Sequence, residues 1–292
     1  PQEYARGALK RGLRFEDELG VNPFKIGLIG STDGHNSIST PEEDNFFGKF
    51  PESEPGPARL ENAMALDRLW QNSLLVASGY AAVWAKENTR AAIFDAIKRR
   101  EVYATTGSRI KVRFFSGWEF DETDIHRPAM LDIAYGTGVP MGGDLSKAKK
   151  GQVPKFLVIA AMDADGARLD RIQIIKGWMD KAGKLQEKVY DVAWSDDRKL
   201  DKRTGKLPAV GNTVDVENAT YLNTIGAPQL STYWEDPDFD RAERAFYYAR
   251  VLEIPTPRWT TYDSAYFNVE LQDDVPSSIQ DRAYTSPIWY TP

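Results

Sequence analysis

Residues 90–117, RAAIFDAIKRREVYATTGSRIKVRFFSG, decide the fold. Ile93, Ala96 and Ile97 fall on one side of a helix, and Arg99 and Arg100 sit at its C-terminal end, where the helix dipole favours positive charge. VYAT (102–105) then reads as a short strand. After Gly107 the period changes: Ile110, Val112 and Phe114 alternate with Lys111 and Arg113, the two-residue repeat of a half-buried strand. A helical period giving way to a strand period at a glycine predicts a domain boundary near residue 107.

Upstream, residues 3–19 place Ala5, Leu9 and Leu13 at i, i+4 and i+8 ahead of Gly20, which predicts a helix with a glycine stop. Lys25 to Ile29 predicts a short buried strand leading into GSTDGHN (30–36). Residues 36–58 are rich in Pro, Gly and acids and predict a long loop, anchored by Phe46 and Phe47. ARLENAMALDRLW (58–70) predicts a helix with Ala63, Leu66 and Trp70 on one face. YAAVWA (80–85) predicts another strand, and Asn88 or Thr89 caps the helix after it. This alternation predicts α/β units over residues 1–107. Downstream, FLVIAAM (156–162), RIQIIKGW (171–178), EKVYDVAW (187–194) and AFYYARVLEI (245–254) are strands separated by turn-rich stretches. They predict an antiparallel β-sandwich over residues 108–292, with the C-terminal tail packing back on the first part.

The 292 residues suffice for one large or two ordinary domains. A net charge of −6 argues against a general nucleic-acid surface, whose affinity comes from neutralising phosphates. No run approaches the ~18 apolar residues of a membrane span. With no cysteine there can be no disulfide, zinc–thiolate site, iron–sulfur cluster or cysteine nucleophile. Cytoplasmic and exported locations are both compatible with that composition.

Any metal would therefore need His and carboxylate ligands, and the chain has two histidines. Asp33-Gly34-His35 puts a carboxylate and an imidazole on one side of an extended stretch, both suited to Zn, Mn or Fe ions. Two ligands do not complete a catalytic site, and on spacing alone a hydrogen-bonded polar turn is the favoured reading. Asp124-Ile125-His126, among charges and before Pro128, reads as a solvated loop. GTGVPMGGDL (136–145) and DADG (163–166) read as turns, since neither has the spacing of a dinucleotide loop or an EF-hand. The acids of WEDPDFDRAER (234–244) read as an exposed loop.

Taken together and in order, GLIGSTDGHN, PEEDNFFGK, SGYAAVWAKENTRAAIFDAIKRREVYATTG, RIQIIKGW, RVLEIPTPRWTTYD and AYTSPIWYTP resemble the C-terminal part of the bacterial proteins grouped as domain of unknown function 3604 (DUF3604). That group is similar to the PHP (polymerase and histidinol phosphatase) superfamily. The resemblance implies a metal-dependent hydrolase: a barrel of strands and helices whose mouth holds divalent ions that activate water, commonly to cleave phosphoesters, with a small-molecule or phosphoester substrate. Asp33 and His35 match the last metal motif of such a barrel, and AIKRREVYAT (96–105) matches its closing segment. Thr32, Asn36, Glu43 and Asp44 are candidate substrate or outer contacts beside it; no catalytic residue is assigned.

The early His-x-His motif and the middle ligands of a PHP site are absent. The expectation is therefore the C-terminal segment of a PHP-like barrel (1–107) followed by an accessory sandwich (108–292). Such a chain would be inactive without an N-terminal portion that completes the centre. The alternative expectation is a non-catalytic binding or assembly module, and exposed apolar faces of a part-barrel would also allow a homo-oligomer.

Overall fold

The computed structural model describes residues 4–38, 40–60, 72–77 and 79–292. Its helices are α1 (Ala5–Leu19), α2 (Arg90–Lys98), α3 (Met130–Thr137) and α4 (Trp259–Phe267). The strands, in chain order, are β1 (Ala81–Val83), β2 (Val102–Thr105), β3 (Lys111–Gly117), β4 (Gly138–Pro140), β5 (Asp144–Leu145), β6 (Lys155–Ala161), β7 (Leu169–Met179), β8 (Leu185–Trp194), β9 (Gln229–Glu235), β10 (Ala245–Glu253), β11 (Thr256–Pro257), β12 (Ser278–Ile279), β13 (Arg282–Thr285) and β14 (Ile288–Tyr290). The helix predicted at residues 58–70 falls largely outside the described residues.

The chain folds into mixed helices and largely antiparallel sheets. The larger sheet runs β1-β2-β13-β10-β14-β5, with β7 on the other edge of β10 and β8 beyond it; the smaller runs β4-β3-β6-β9. Alternation explains how they pack. Val112 and Phe114 of β3, and Phe156, Val158 and Ala160 of β6, share one buried cluster with Ile172 and Ile174 of β7 and Tyr247, Ala249 and Val251 of β10. The intervening residues face away from this cluster, and several are buried beneath helices. Ile175, Phe246 and Tyr248 pack under Leu9 and Leu13 of α1, while Phe115 and Leu157 pack under Met130 and Ala134 of α3. The order of layers is thus helix, large sheet, small sheet, helix.

Local signals set the ends of these elements. Leu9 and Leu13 are buried one turn apart, and Gly20 ends α1 at φ 74°, its N–H donating to the Glu16 carbonyl. Thr89 caps α2 by accepting a hydrogen bond from the Ala92 N–H at 3.3 Å. Gly142, at φ 83°, turns the chain between β4 and β5, as expected of the glycine-rich stretch. The DADG turn closes through Gly166 N–H to the Asp163 carbonyl at 3.1 Å.

Three expectations are corrected. Lys25–Ile29 is not a strand: among the described residues no strand pairs with it. The segment is pinned instead by Leu28 N–H on Ser286 Oγ (2.9 Å) and by Arg100 on the Lys25 carbonyl (3.0 Å), with Ile26 and Ile29 exposed. The parallel pairing that α/β units imply is also not found at residues 80–105. β2 takes β1 on one edge and β13 on the other, both antiparallel, so residues on either side of position 107 share one sheet. The acidic loop after β9 is not simply exposed either: Asp236 is buried and pairs with Lys176 at 2.6 Å.

Candidate functional site

The Asp33-Gly34-His35 turn is suspended between two close backbone approaches. Gly30 N–H donates to the Tyr80 carbonyl and Gly79 N–H donates to the Ser31 carbonyl, each at 3.2 Å. A Cβ on Gly79 would lie 1.3 Å from the Thr105 carbonyl oxygen, so only glycine permits the approach. Beyond it Asp33 takes φ 53°, a left-handed conformation that aspartate tolerates better than most residues. Asp33 Oδ1 and His35 Nε2 stand 3.5 Å apart, both side chains exposed.

Neighbours fix that pair. His35 N–H donates to the Lys49 carbonyl at 2.7 Å, and its ring stacks on Phe50 with centroids 4.6 Å apart. Lys49 Nζ donates to the Thr32 carbonyl at 2.9 Å and lies 4.0 Å from Asp33 Oδ2. Burial holds the Lys49 amine below its ordinary pKa, against the charge of Asp33. Asn36 shapes the loop, donating to the Phe47 carbonyl and accepting from Ile38 N–H, each at 3.1 Å. Asp33 and His35 fit a metal ion as a pair of donors. Among the described residues, however, no group of three or more His, Asp or Glu side chains is placed to hold one. His126 is exposed in a 3-10 turn and makes no hydrogen bond or ion pair with either residue.

Glu43 and Asp44 go elsewhere. They sit on a short 3-10 helix, Glu43–Asn45, at the end of the sandwich where β2 leads to β3, β6 to β7 and β10 to β11. There they line a cleft of about 180 Å³ with Asp163, Glu253 and Asp281, and Tyr221 and Tyr262 flank it. Glu43 is buried and accepts the Trp259 N–H on Oε2 at 2.7 Å, while its Oε1 has no partner. Burial, with the nearby charge of Asp281, pushes its pKa up to about 7 against the Trp259 bond. Burial also raises Glu253, which accepts from Ser108, and Asp281, which accepts from Thr106 Oγ1 at 2.6 Å. Neither Glu43 nor Asp44 shares a hydrogen bond or ion pair with Asp33 or His35. Sequence reading missed this cleft because its acids come from separate stretches. The one local signal was Glu253, an acid closing the apolar run AFYYARVLEI.

The family model for DUF3604, described as a protein of unknown function, matches residues 1–292. The chain belongs to the DUF3604 family. No curated protein and no solved structure matches it. In this DUF3604 chain no described helix is long and apolar enough to cross a membrane. Among the described residues, two features gather ionisable side chains: the exposed Asp33–His35 pair and the acidic cleft around Glu43.

Proposed function

We propose that Asp33 and His35 are two ligands of a divalent metal centre in a PHP-like hydrolase acting on phosphoesters or related bonds. On this reading residues 1–107 carry the C-terminal segment of the barrel, with β1 and β2 joined to the larger sheet of the accessory part, residues 108–292. The centre is completed by ligands from an N-terminal portion of the same protein. The observation that carries the reading is the convergence of Asp33 Oδ1 and His35 Nε2 to 3.5 Å on an exposed turn. The backbone behind that turn is fixed at Gly30, Gly79 and Lys49.

A bound Zn, Mn or Fe ion would supply Lewis acidity and lower the pKa of a coordinated water to near neutrality. The chain's own contribution is orientation. Phe50 fixes the plane of the His35 imidazole, and Lys49 ties the Thr32 carbonyl so that the turn cannot collapse. The buried Lys49 amine, 4.0 Å from Asp33, offsets part of the carboxylate charge when no cation does.

For the alternative reading as a polymer-binding face, Phe114, Phe156, Tyr247 and Trp289 are buried in the core and could not take part. The test is metal-dependent hydrolysis of a panel of phosphomonoesters and phosphodiesters by the longer protein. Asp33→Asn and His35→Ala are expected to abolish it, and retained turnover in His35→Ala would overturn the assignment.

A further inference from the structure

We propose that the cleft between β12 and residues 73–76 binds a small aliphatic carboxylate through the guanidinium of Arg258. This stands apart from the metal-centre reading and uses none of its residues.

Arg258 lies where β11 gives way to α4, its backbone N–H donating to the Ser277 carbonyl at 3.1 Å. The residue is only 6% exposed, and it lines a cleft of about 300 Å³. A guanidinium carries five N–H donors, and among the described residues this one uses a single hydrogen bond, from Nη2 to the Leu75 carbonyl at 2.6 Å. The Trp259 ring centroid lies 5.7 Å away. No carboxylate among the described residues forms an ion pair with it. Glu43, whose charge it feels, is held instead by the Trp259 N–H. Nε and Nη1 therefore have no acceptor, and neither is among the side-chain atoms sealed from solvent without a partner. They are open donors on a buried cation. Desolvation holds the Arg258 pKa below its ordinary value, against the charge of Glu43. A buried charge is costly unless paired, and an anion entering the cleft supplies the pair.

The walls select the class of anion. Val76, Val275, Pro276 and Ile279 give apolar surface, while the Ser73 and Ser278 hydroxyls make no hydrogen bond among the described residues. Arg258 is the one cation in the lining among those residues, and Asp274 stands on the exposed rim. A monoanion matches one cation, whereas a phosphate dianion would meet Asp274 without a second positive charge. The planar fork of a guanidinium fits a carboxylate in a two-point hydrogen bond. A short aliphatic chain then occupies the apolar remainder.

Ligand-observed NMR titration with sodium butyrate at constant ionic strength tests the proposal, with butyramide and inorganic phosphate as comparison ligands. Expected are saturable butyrate binding and affinity about tenfold or more weaker for butyramide, which keeps the shape and loses the charge. Arg258→Gln is expected to weaken butyrate by a similar factor. Val76, 50% exposed in the lining, gives a second variant. Val76→Glu places a repelling charge in the cleft and abolishes binding, while Val76→Gln retains it; this pair decides if Arg258→Gln proves misfolded by circular dichroism. Absence of saturable butyrate binding would overturn the proposal, as would equal affinity for butyramide or unchanged affinity in Val76→Glu. So would phosphate that binds more tightly than butyrate and displaces it.

Discussion

Arg59 and Asp263 meet in a buried two-point ion pair, with Nε to Oδ2 at 2.6 Å and Nη2 to Oδ1 at 2.7 Å. The same guanidinium lies 4.4 Å from the Trp259 ring centroid and donates to the Phe46 carbonyl at 2.8 Å. One side chain thereby clamps the loop that carries Glu43 onto α4, and the Trp259 N–H that holds Glu43 is part of the clamp. Arg59→Met leaves Asp263 without its partner, and breaking such a buried pair costs about 3–5 kcal/mol. Urea unfolding should report that loss. A change below about 1 kcal/mol would mean the pair does not hold the loop.

Glu43 makes stability depend on pH in a defined direction. Its folded pKa, about 7, lies above the ordinary glutamate value near 4.5. The folded state therefore binds the extra proton, and the contribution is full below pH 4.5 and lost as pH rises through 7. At about 1.4 kcal/mol per pKa unit the whole effect is at most about 3 kcal/mol. Glu253 and Asp281, also raised by burial, act in the same direction. Glu43→Gln should flatten the fall in stability between pH 5 and 8, measured by urea unfolding at each pH. An unchanged profile would contradict the assignment.

Gly79 sets the approach of the Asp33 turn to the sheet. Added at Gly79, a Cβ would collide with backbone at Thr105. The chain must then shift, and Gly79→Ala is expected to destabilise by about 1–3 kcal/mol as an overpacked site. Limited proteolysis should cut sooner between residues 26 and 38. Unchanged cleavage would show that the turn does not depend on this contact.

Lys176 is buried inside the sandwich, paired with Asp236 at 2.6 Å and donating to the Asp238 carbonyl at 2.7 Å, while Tyr247 Oη donates to Asp236 at 2.7 Å. Lys176→Met leaves a buried carboxylate whose remaining support is one phenol and local backbone. A loss of about 3–5 kcal/mol is expected by thermal or urea unfolding, and a neutral variant would show that the pair is replaceable.

Much of the sandwich was legible because β3, β6, β7 and β10 are apolar runs of strand length, buried over most of their residues and bounded by turn-rich stretches, and α1 because Leu9 and Leu13 recur one turn apart. The misread segments lack such a period. Lys25–Ile29 has the apolar content of a strand, but ladder pairing depends on a neighbour the sequence does not name. WTTYDSAYF, for which no element is predicted, is rich in residues with modest helix propensity, yet it forms α4 with Trp259, Thr260 and Thr261 buried by tertiary contacts. At the site, Asp33 and His35 stood out as neighbours in sequence. The acids around Glu43 come from four separate stretches and are gathered only by the meeting of the strand ends.

The most direct test of the metal-centre account is the metal content of the longer protein and its His35→Ala variant, measured by elemental analysis after purification without chelator. The account predicts near-stoichiometric divalent metal in the native protein and a marked loss in His35→Ala. Equal metal in the two, or none in either, would contradict it and leave Asp33-Gly34-His35 a structural turn.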